Sequence, residues 1–431
     1  MATSTAETWR RIKRSVLAIV WMSTAGSSFS CARSVAEINT AECGQAPAKP
    51  VAVLELPGNP FQAIPTADGC YVFVSLVGPV EPGDPRRPPQ PGAPKGGVAV
   101  VSRVGGEPSL LRALTLEGSP YGMTLTGDDK LLIVASDDRV AFIDAARLIA
   151  GSDGAVLGYL NDAPLAGRVY ANVTPDDQWL FLSDESTQTI SVVNLRRARA
   201  SGFTRSAVIG QIPVGRAPVA LTFSHDHRFL YTTSQVAPSA YGWPLVCRPP
   251  ASEAARQGSS YAEGAILVID VVRATRDPAN AVVGSVPAGC NPVRLVTSPT
   301  GDVAYVSART DNVILAFDTT SLLSDPTHAL IGRVPVGDAP VGLAVFDDGA
   351  RLAVTNSNRF GDGNAGPSLT IIDTRKIRSG ENAILGTVPT GAFPRELRTT
   401  KDQATLLLTN FGSKTLAVID VARLPLEPRK Q

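Results

Sequence analysis

Short apolar stretches recur from about residue 50 to residue 425, and Gly, Pro or Asp-Gly turns separate them. In the stretch that begins at Val219, the apolar side chains are Val219, Leu221 and Phe223. This two-residue period is typical of a half-buried β-strand. The pattern predicts a chain of many short antiparallel strands joined by tight turns.

These stretches belong to a repeat that runs through the chain. Its clearest copy, residues 334–386, contains Val-Pro-Val-Gly-Asp-Ala-Pro, then Leu-Ala-Val-Thr-Asn, then Leu-Thr-Ile-Ile-Asp. Related copies begin at Ile212, Val286 and Val388. We number each copy from the last proline of its first phrase, or from the equivalent residue. These anchor positions are 60, 120, 168, 218, 292, 340 and 394.

Seven copies of four strands predict an all-β fold, a seven-bladed β-propeller of four-stranded antiparallel blades. A solenoid and a row of tandem sandwiches are the alternatives. The last copy stops after its third strand, near residue 420, whereas residues 51–56 form an extra strand before the first anchor. We therefore expect the N-terminal strand to complete the last blade and close the ring.

The phrases Pro-Val-Gly-x-x-Pro, Leu-x-Val-Thr-Asn and Val-Ile-Asp resemble the repeat consensus of the YVTN-repeat proteins. These proteins are seven-bladed propellers, often described as lactonase-like. The resemblance covers about residues 50–425 and implies the propeller fold. It implies little about function, because the matching positions are turn and core positions.

The N-terminus has the layout of a secretory signal peptide. Four basic residues, at positions 10, 11, 13 and 14, precede an apolar run over residues 15–25 and then small residues. The run is too short to span a bilayer, and a surface helix is the alternative. Cys31 lies where a bacterial lipoprotein would be cleaved and lipidated, although Ser28 replaces the expected aliphatic residue.

These features predict four segments. Residues 1–31 are a signal peptide, 32–50 a linker, 51–425 the propeller and 426–431 a C-terminal tail. The protein is expected to be exported, periplasmic or extracellular. If Cys31 is lipidated, the N-terminus tethers the chain to a membrane surface.

Loops alternate between the two faces of a propeller. We call "top" the face with the Gly-x-x-Pro connections and the loops between second and third strands, and "bottom" the opposite face. Long insertions at residues 77–97, 235–264 and 357–367 all fall on top. Binding residues gather on loops held by a rigid scaffold, so the top face is the functional candidate. Surface insertions without a ligand are the alternative.

The same topology predicts how the remaining four cysteines pair. Cys43 and Cys70 fall at the bottom, near the closing strand, whereas Cys247 and Cys290 fall on neighbouring top loops. We therefore expect Cys43–Cys70 and Cys247–Cys290 disulfides. An even number of paired cysteines suits an oxidising compartment.

Aligning the innermost strands on their anchors identifies the positions that face the central channel. Gly, Ala and Thr dominate two and four residues past the anchor, and the larger polar exceptions are Gln62, Tyr170, Arg294, Glu396 and Arg398. We expect these five to form a polar cluster that binds an anionic or polyhydroxylated small molecule, with Arg as a planar donor fork. A water-filled channel, in which Glu396 pairs with Arg294 or Arg398, is the alternative.

Composition narrows the classes of partner. With 40 basic and 39 acidic side chains, the formal net charge is +1, which argues against nucleic-acid binding. The sequence has no Gly-rich phosphate motif. Asp137-Asp138 and residues 362–364 are weak calcium candidates that turn chemistry explains equally well. We expect no cofactor and no metal.

The three histidines limit the available chemistry. His225, His227 and His328 are all expected on the bottom face, away from the candidate site. The sequence therefore favours a monomeric, non-catalytic module that binds an unknown small molecule or protein at its top face. The alternatives are a lactonase-type hydrolase or an accessory propeller of a quinone-dependent dehydrogenase. Titratable groups with displaced pKa values clustered at the channel mouth would favour an enzyme.

Overall fold

The apolar stretches of the repeat form short strands that pair within antiparallel sheets. The computed structural model describes residues 42–78, 96–161, 168–250, 260–361, 366–379 and 382–427. These residues belong to one compact unit, Asn39–Gln431. The predicted signal peptide, Cys31 and the calcium candidate at residues 362–364 lie outside the described residues.

Seven antiparallel sheets form the blades of a β-propeller, as the repeat predicts. Strand β1 (Val51–Glu55) precedes the first anchor. Blade one comprises β2 (Asn59–Pro65), β3 (Tyr71–Val77), β4 (Gly97–Ser102) and β5 (Ser109–Thr115). Blade two comprises β6 (Pro120–Leu125), β7 (Leu131–Ser136), β8 (Val140–Asp144) and β9 (Val156–Leu160). Blade three comprises β10 (Arg168–Val173), β11 (Trp179–Asp184), β12 (Thr189–Asn194) and β13 (Val208–Pro213).

The remaining four blades follow the same order, with one interruption. Blade four comprises β14 (Arg216–Pro218), β15 (Thr222–Phe223), β16 (Phe229–Val236), β17 (Ala265–Asp270) and β18 (Val282–Pro287). Its innermost strand is broken into β14 and β15, which both pair with β16. Blade five comprises β19 (Pro292–Thr297), β20 (Val303–Ala308), β21 (Val313–Asp318) and β22 (Leu330–Pro335). Blade six comprises β23 (Pro340–Phe346), β24 (Arg351–Asn356), β25 (Ser368–Asp373) and β26 (Ile384–Pro389). Blade seven comprises β27 (Pro394–Thr399), β28 (Thr405–Asn410) and β29 (Thr415–Asp420).

Short helices follow the third strand of most blades. The α-helices are α1 (Ala145–Ala150), α2 (Leu195–Ala200), α3 (Val271–Ala274) and α4 (Ser321–Ser324). The 3-10 turns are Arg205–Ala207, Ser239–Tyr241, Pro278–Asn280, Pro326–His328, Thr374–Lys376 and Val421–Arg423. The Asp that ends the Val-Ile-Asp phrase is a helix N-cap; Asp270, for example, accepts a hydrogen bond from Arg273 N. In the part of the chain that the structure describes, no helix is long and apolar enough to span a membrane.

The ring closes through its N-terminal strand. Strand β1 pairs antiparallel with β29, with Val51 opposite Ile419 and Glu55 opposite Thr415. This confirms the predicted closure. The segment before β1 is held at the bottom face, where Arg103 Nη2 donates to Gln45 O at 3.3 Å. The fully buried Arg103 also donates to Thr405 Oγ1 of blade seven at 3.0 Å, so it joins blades one and seven.

Both disulfides form as the loop topology predicts. Cys43 pairs with Cys70, beside the closing strand. Cys247 pairs with Cys290 and joins the blade-four insertion to the connection that enters blade five. The observed pairing is the one that the predicted loop positions imply.

A hydroxyl in the second strand joins neighbouring blades. Thr409 Oγ1 accepts a hydrogen bond from Glu396 N at 3.1 Å and donates to Phe61 O of blade one at 3.2 Å. The fifth residue of the second strand is Thr or Ser in six blades and Ala135 in blade two. The equivalent hydroxyls that donate to the following blade are Ser75, Ser183, Thr233 and Ser307. The Thr of the Val-Thr-Asn phrase thus occupies a position that links blades.

Candidate functional site

Three of the five predicted channel residues meet, although they come from blades that are not adjacent. Tyr170 of blade three donates its hydroxyl to Glu396 Oε2 of blade seven at 2.8 Å. Arg294 of blade five donates to the same oxygen through Nε at 2.8 Å and Nη2 at 2.6 Å. Its Cζ lies 4.1 Å from the centre of the Tyr170 ring. We call Tyr170, Arg294 and Glu396 the channel triad.

The channel triad is buried, and within it the negative charge of Glu396 compensates the positive charge of Arg294. The side chains of Arg294 and Glu396 are each 8% exposed. Burial lowers the pKa of Arg294 to about 10, and the Glu396 carboxylate opposes that shift. Arg294 therefore stays protonated at neutral pH, and its charge is balanced by Glu396. This matches the pairing that the water-filled-channel alternative expects.

Among the described residues, no hydrogen bond or ion pair joins the other two predicted channel residues to the triad, although the charge of Arg398 acts on Arg294. Gln62 is fully buried, and its Oε1 accepts a hydrogen bond from Met123 N of blade two at 2.5 Å. Its Nε2 is buried and has no hydrogen-bond partner among the described residues. Arg398 is exposed, and within the described ranges it forms no ion pair with Glu396.

The residues that directly follow the anchors lie at the beginning of the innermost strands, at their top ends. Phe61, Val219, Val293 and Val341 belong to one buried apolar cluster. In blade seven the same position holds Arg395. In blade two this position holds Tyr121, which packs against the same apolar cluster. Blade seven therefore has a charged residue at a position where the other described blades have an apolar or aromatic one.

Aromatic rings surround the Arg395 guanidinium. Its Cζ lies 3.9 Å from the centre of the Phe61 ring and 5.6 Å from the centres of both the Phe393 and Phe411 rings. Such cation–π contacts each contribute about 0.5–2 kcal/mol, more where water is excluded. Arg395 Nε is buried, and the guanidinium has neither a hydrogen-bond acceptor nor an ion-pair partner among the described residues. Burial lowers its pKa to about 10, so Arg395 is charged at neutral pH.

Similar contacts between arginine side chains and phenylalanine rings involve residues of blades six and five. Arg359 Cζ lies 5.7 Å from the Phe393 ring centre and 5.5 Å from the Phe360 ring centre. Arg309 of blade five lies 5.6 Å from Phe360 and donates to Gln235 Oε1 at 2.8 Å. We call the top-face group the mouth cluster; its members are Phe61, Arg359, Phe360, Phe393, Arg395 and Phe411.

The backbone fixes the position of Phe393. Its φ of 49° is in the left-handed region, which side chains adopt only at some cost. The residue before the anchor proline has the same conformation in blades four, five and six, at Ala217, Asn291 and Ala339. The conformation therefore belongs to the Gly-x-x-Pro turn, and blade seven uses it to hold a large ring beside Arg395.

A carboxyl group with a displaced pKa lies beside this mouth, in blade two. Burial raises the pKa of Asp137, although the Tyr121 hydroxyl and Ser119 N donate to it. Burial and the Asp137 charge raise the pKa of Tyr121 as well. The Tyr121 ring lies 5.2 Å from the Phe61 ring, so this pair borders the mouth cluster.

The three histidines lie away from this face. His225 and His227 lie in the β15–β16 hairpin at the bottom, and His328 lies between β21 and β22, where its Nδ1 is 2.9 Å from Asp325 Oδ2. Across the described ranges, no group of three or more His, Cys, Asp or Glu side chains is placed to hold a metal.

Comparisons with known proteins identify the fold. The chain matches a solved structure of Kuenenia stuttgartiensis hydrazine synthase at 16% identity and a TM-score of 0.60, covering 86% of this chain and 97% of that chain. It matches the β-propeller domain of Myceliophteria thermophila Cps50 (Swd1) at 12% identity and a TM-score of 0.56, covering 85% and 97%. It matches a chain of a mitotic checkpoint complex at 13% identity and a TM-score of 0.58, covering 95% and 99%. No protein-family model matches the sequence, and no curated protein matches it.

Proposed function

We propose that this chain is an exported, non-catalytic β-propeller that binds a small molecule at its top face through the mouth cluster. The observation that carries the proposal is the pair Phe393 and Arg395. At the position of Phe393 the other described blades hold Asn, Ser or Ala, and at the position of Arg395 they hold Val, Phe or Tyr. Blade seven instead places an aromatic ring at the first position and a charge at the second. Sites that depart from an otherwise consistent pattern are expected to be functional ones.

The fold alone does not select among functions, because similar propellers serve unrelated roles. The structures described above share 12–16% identity with this chain and support the propeller architecture only. Affiliation with the YVTN-repeat proteins is part of the proposal, supported by the repeat phrases. The two disulfides are typical of an oxidising, exported compartment. A cleaved signal peptide, lipidation of Cys31 and a monomeric state complete the proposal.

A thermal-shift screen of the full chain tests small-molecule binding. The panel holds anionic, neutral and cationic metabolites, because a ligand that binds only the folded state raises the melting temperature. The diagnostic variant is Phe393→Ala. Alanine already occupies this turn position, with the same φ, at Ala217 and Ala339, so the substitution preserves the backbone.

The expected result is a shift by at least one compound that Phe393→Ala removes. A bottom-face variant, His328→Ala, is the matched control and should keep the shift, because His328 is exposed on the opposite face. The proposal fails if no compound shifts the melting temperature, or if the shift survives in Phe393→Ala.

A second candidate is catalysis at the same mouth, which the displaced pKa values of Asp137 and Tyr121 favour. A carboxyl with a raised pKa beside a phenol can serve in general acid–base chemistry. Hydrolysis of a simple γ-lactone by the full chain, abolished in Asp137→Asn, would establish this activity. If the wild type and Asp137→Asn both hydrolyse the lactone no faster than buffer does, catalysis of that reaction is excluded.

A further inference from the structure

Two arginines near the channel, the buried Arg294 and the half-buried Arg395, differ in their hydrogen-bond partners. Arg294 is held by Glu396 through two hydrogen bonds to one oxygen. Arg395, the residue before Glu396 on the same strand, has no such acceptor among the described residues, and its Nε is buried without a partner there. A partly buried charge without a hydrogen-bonded acceptor costs free energy, which a ligand that supplies the acceptor recovers. Among the described residues Arg395 is such a cation, although Glu185 and Glu396 act on it electrostatically.

The surroundings of Arg395 restrict the chemistry of a ligand. A guanidinium offers a planar donor fork that matches the two oxygens of a carboxylate. The walls are the rings of Phe61, Phe393 and Phe411, which favour an apolar or aromatic body. Glu185 and Glu396 lie within electrostatic reach of Arg395. Their negative charges disfavour a dianion such as phosphate more than they disfavour a monoanion.

We propose that the mouth cluster binds a small organic carboxylate with an apolar or aromatic body, and that Arg395 holds its carboxylate. The proposal rests on the proposed function and specifies its ligand class. It also moves the anion site from the predicted channel arginines, Arg294 and Arg398, to a residue one position before Glu396. The carboxylate supplies the hydrogen-bond acceptor that Arg395 lacks among the described residues, and the rings exclude water from the ion pair.

Isothermal titration calorimetry of the full chain with benzoate tests this assignment. Benzamide has the same ring without the charge, and inorganic phosphate has the charge without the ring. Benzoate is expected to bind at least tenfold more tightly than either, because each lacks one of the two recognised features.

Two substitutions of Arg395 separate charge from shape. Arg395→Val installs the residue that blades four, five and six hold at this position, and benzoate affinity is expected to fall at least tenfold. Arg395→Lys keeps the charge but not the fork, so its affinity should lie between those of the wild type and Arg395→Val. Arg276→Gln removes an exposed bottom-face charge and should leave affinity unchanged. Far-ultraviolet circular dichroism confirms that each variant is folded.

The outcomes separate this inference from the proposed function. Absence of benzoate binding, equal binding of benzamide, or wild-type affinity in Arg395→Val would each overturn the carboxylate assignment. If a neutral or cationic compound from the thermal-shift panel still requires Phe393, the proposed function stands with a different ligand class. If no compound requires Phe393, both fail.

Discussion

At the scale of single residues, Glu396 and Arg395 are neighbours on one strand but have different surroundings: Glu396 belongs to the buried channel triad, and Arg395 lies among the rings of the mouth cluster. Counting two residues past the anchor identified Tyr170, Arg294 and Glu396, which do meet. The alignment passed over Arg395 because a strict two-residue alternation assigns position one to the opposite face. A break in strand register follows the anchor, as between Pro394 and Glu396, and such bulges redirect side chains.

A sequence signal for Arg395 nevertheless existed. The residue after the anchor is Val in blades four, five and six and aromatic in blades one and two, so an arginine in blade seven departs from the repeat. Comparing the copies position by position, rather than only at channel positions, would have revealed it. The ring contacts of Arg359 and Phe360 were not predictable, because they depend on how an insertion folds.

Removing one partner of the buried ion pair should be costly. In Arg294→Met, Glu396 loses two hydrogen bonds and remains buried as an unpaired charge, so the free energy of unfolding should fall by about 3–5 kcal/mol. The double variant Arg294→Met, Glu396→Leu should recover most of that loss, because no unpaired charge remains. Urea denaturation measures both. A loss below about 1 kcal/mol in the single variant would show that Glu396 finds water or another partner.

At the scale of strands and turns, the hydroxyl of the second strand is expected to stabilise the contact between blades. Thr409→Val keeps the shape but removes the donor to Phe61 O and the acceptor of Glu396 N, so we expect a loss of about 1–3 kcal/mol. Thr409→Ser keeps the hydroxyl, so its free energy of unfolding should fall less than that of Thr409→Val. Equal unfolding midpoints in urea for Val and Ser variants would contradict this role.

Aspartates in the hairpins of the bottom face predict that the protein loses stability at acidic pH. Hydrogen bonds from Thr126, Ser224 and Ser298 hold the pKa values of Asp128, Asp226 and Asp302 below 3.8 in the folded state. Because the folded pKa values are depressed, this stabilisation is present above 3.8 and is lost as the pH falls through the folded values.

The melting temperature should therefore fall on acidification below pH 3.8, and more gently in Thr126→Val, which lacks one of these donors. Asp129 and Asp137 have raised pKa values and contribute with the opposite sign, but only above 3.8. Thermal melts across the acid range measure the slope. If the melting temperature of the wild type and of Thr126→Val falls equally with pH, Asp128 does not contribute to the acid sensitivity.

At the scale of the whole molecule, the sequence predicts the ring and its closure because both follow from counting strands. The last copy lacks one strand and the chain supplies one before the first anchor, so β1 had a single vacant edge to fill. The disulfides follow from the same count, because it assigns each loop to a face. The break in blade four did not follow, since the local phrase still reads as one strand.

Removing the closing strand should open the ring. A chain that starts at Gly58 lacks β1 and the Cys43–Cys70 disulfide, which alone contributes about 2–4 kcal/mol, and it exposes the edge of β29. We expect a lower melting temperature and concentration-dependent aggregation. A chain that starts at Glu42 keeps both features and is the control. Calorimetry with size-exclusion chromatography compares them, and equal melting temperatures would refute closure as a source of stability.

The central claim is that ligands bind at the mouth cluster on the top face. The most direct test is a crystal structure of the chain soaked with 4-bromobenzoate, in which the anomalous signal of bromine marks the ligand. The account predicts a bromine peak among the rings of Phe61, Phe393 and Phe411, with the carboxylate at hydrogen-bond distance from Arg395. Bromine peaks confined to the bottom face, with none at the mouth, would contradict it.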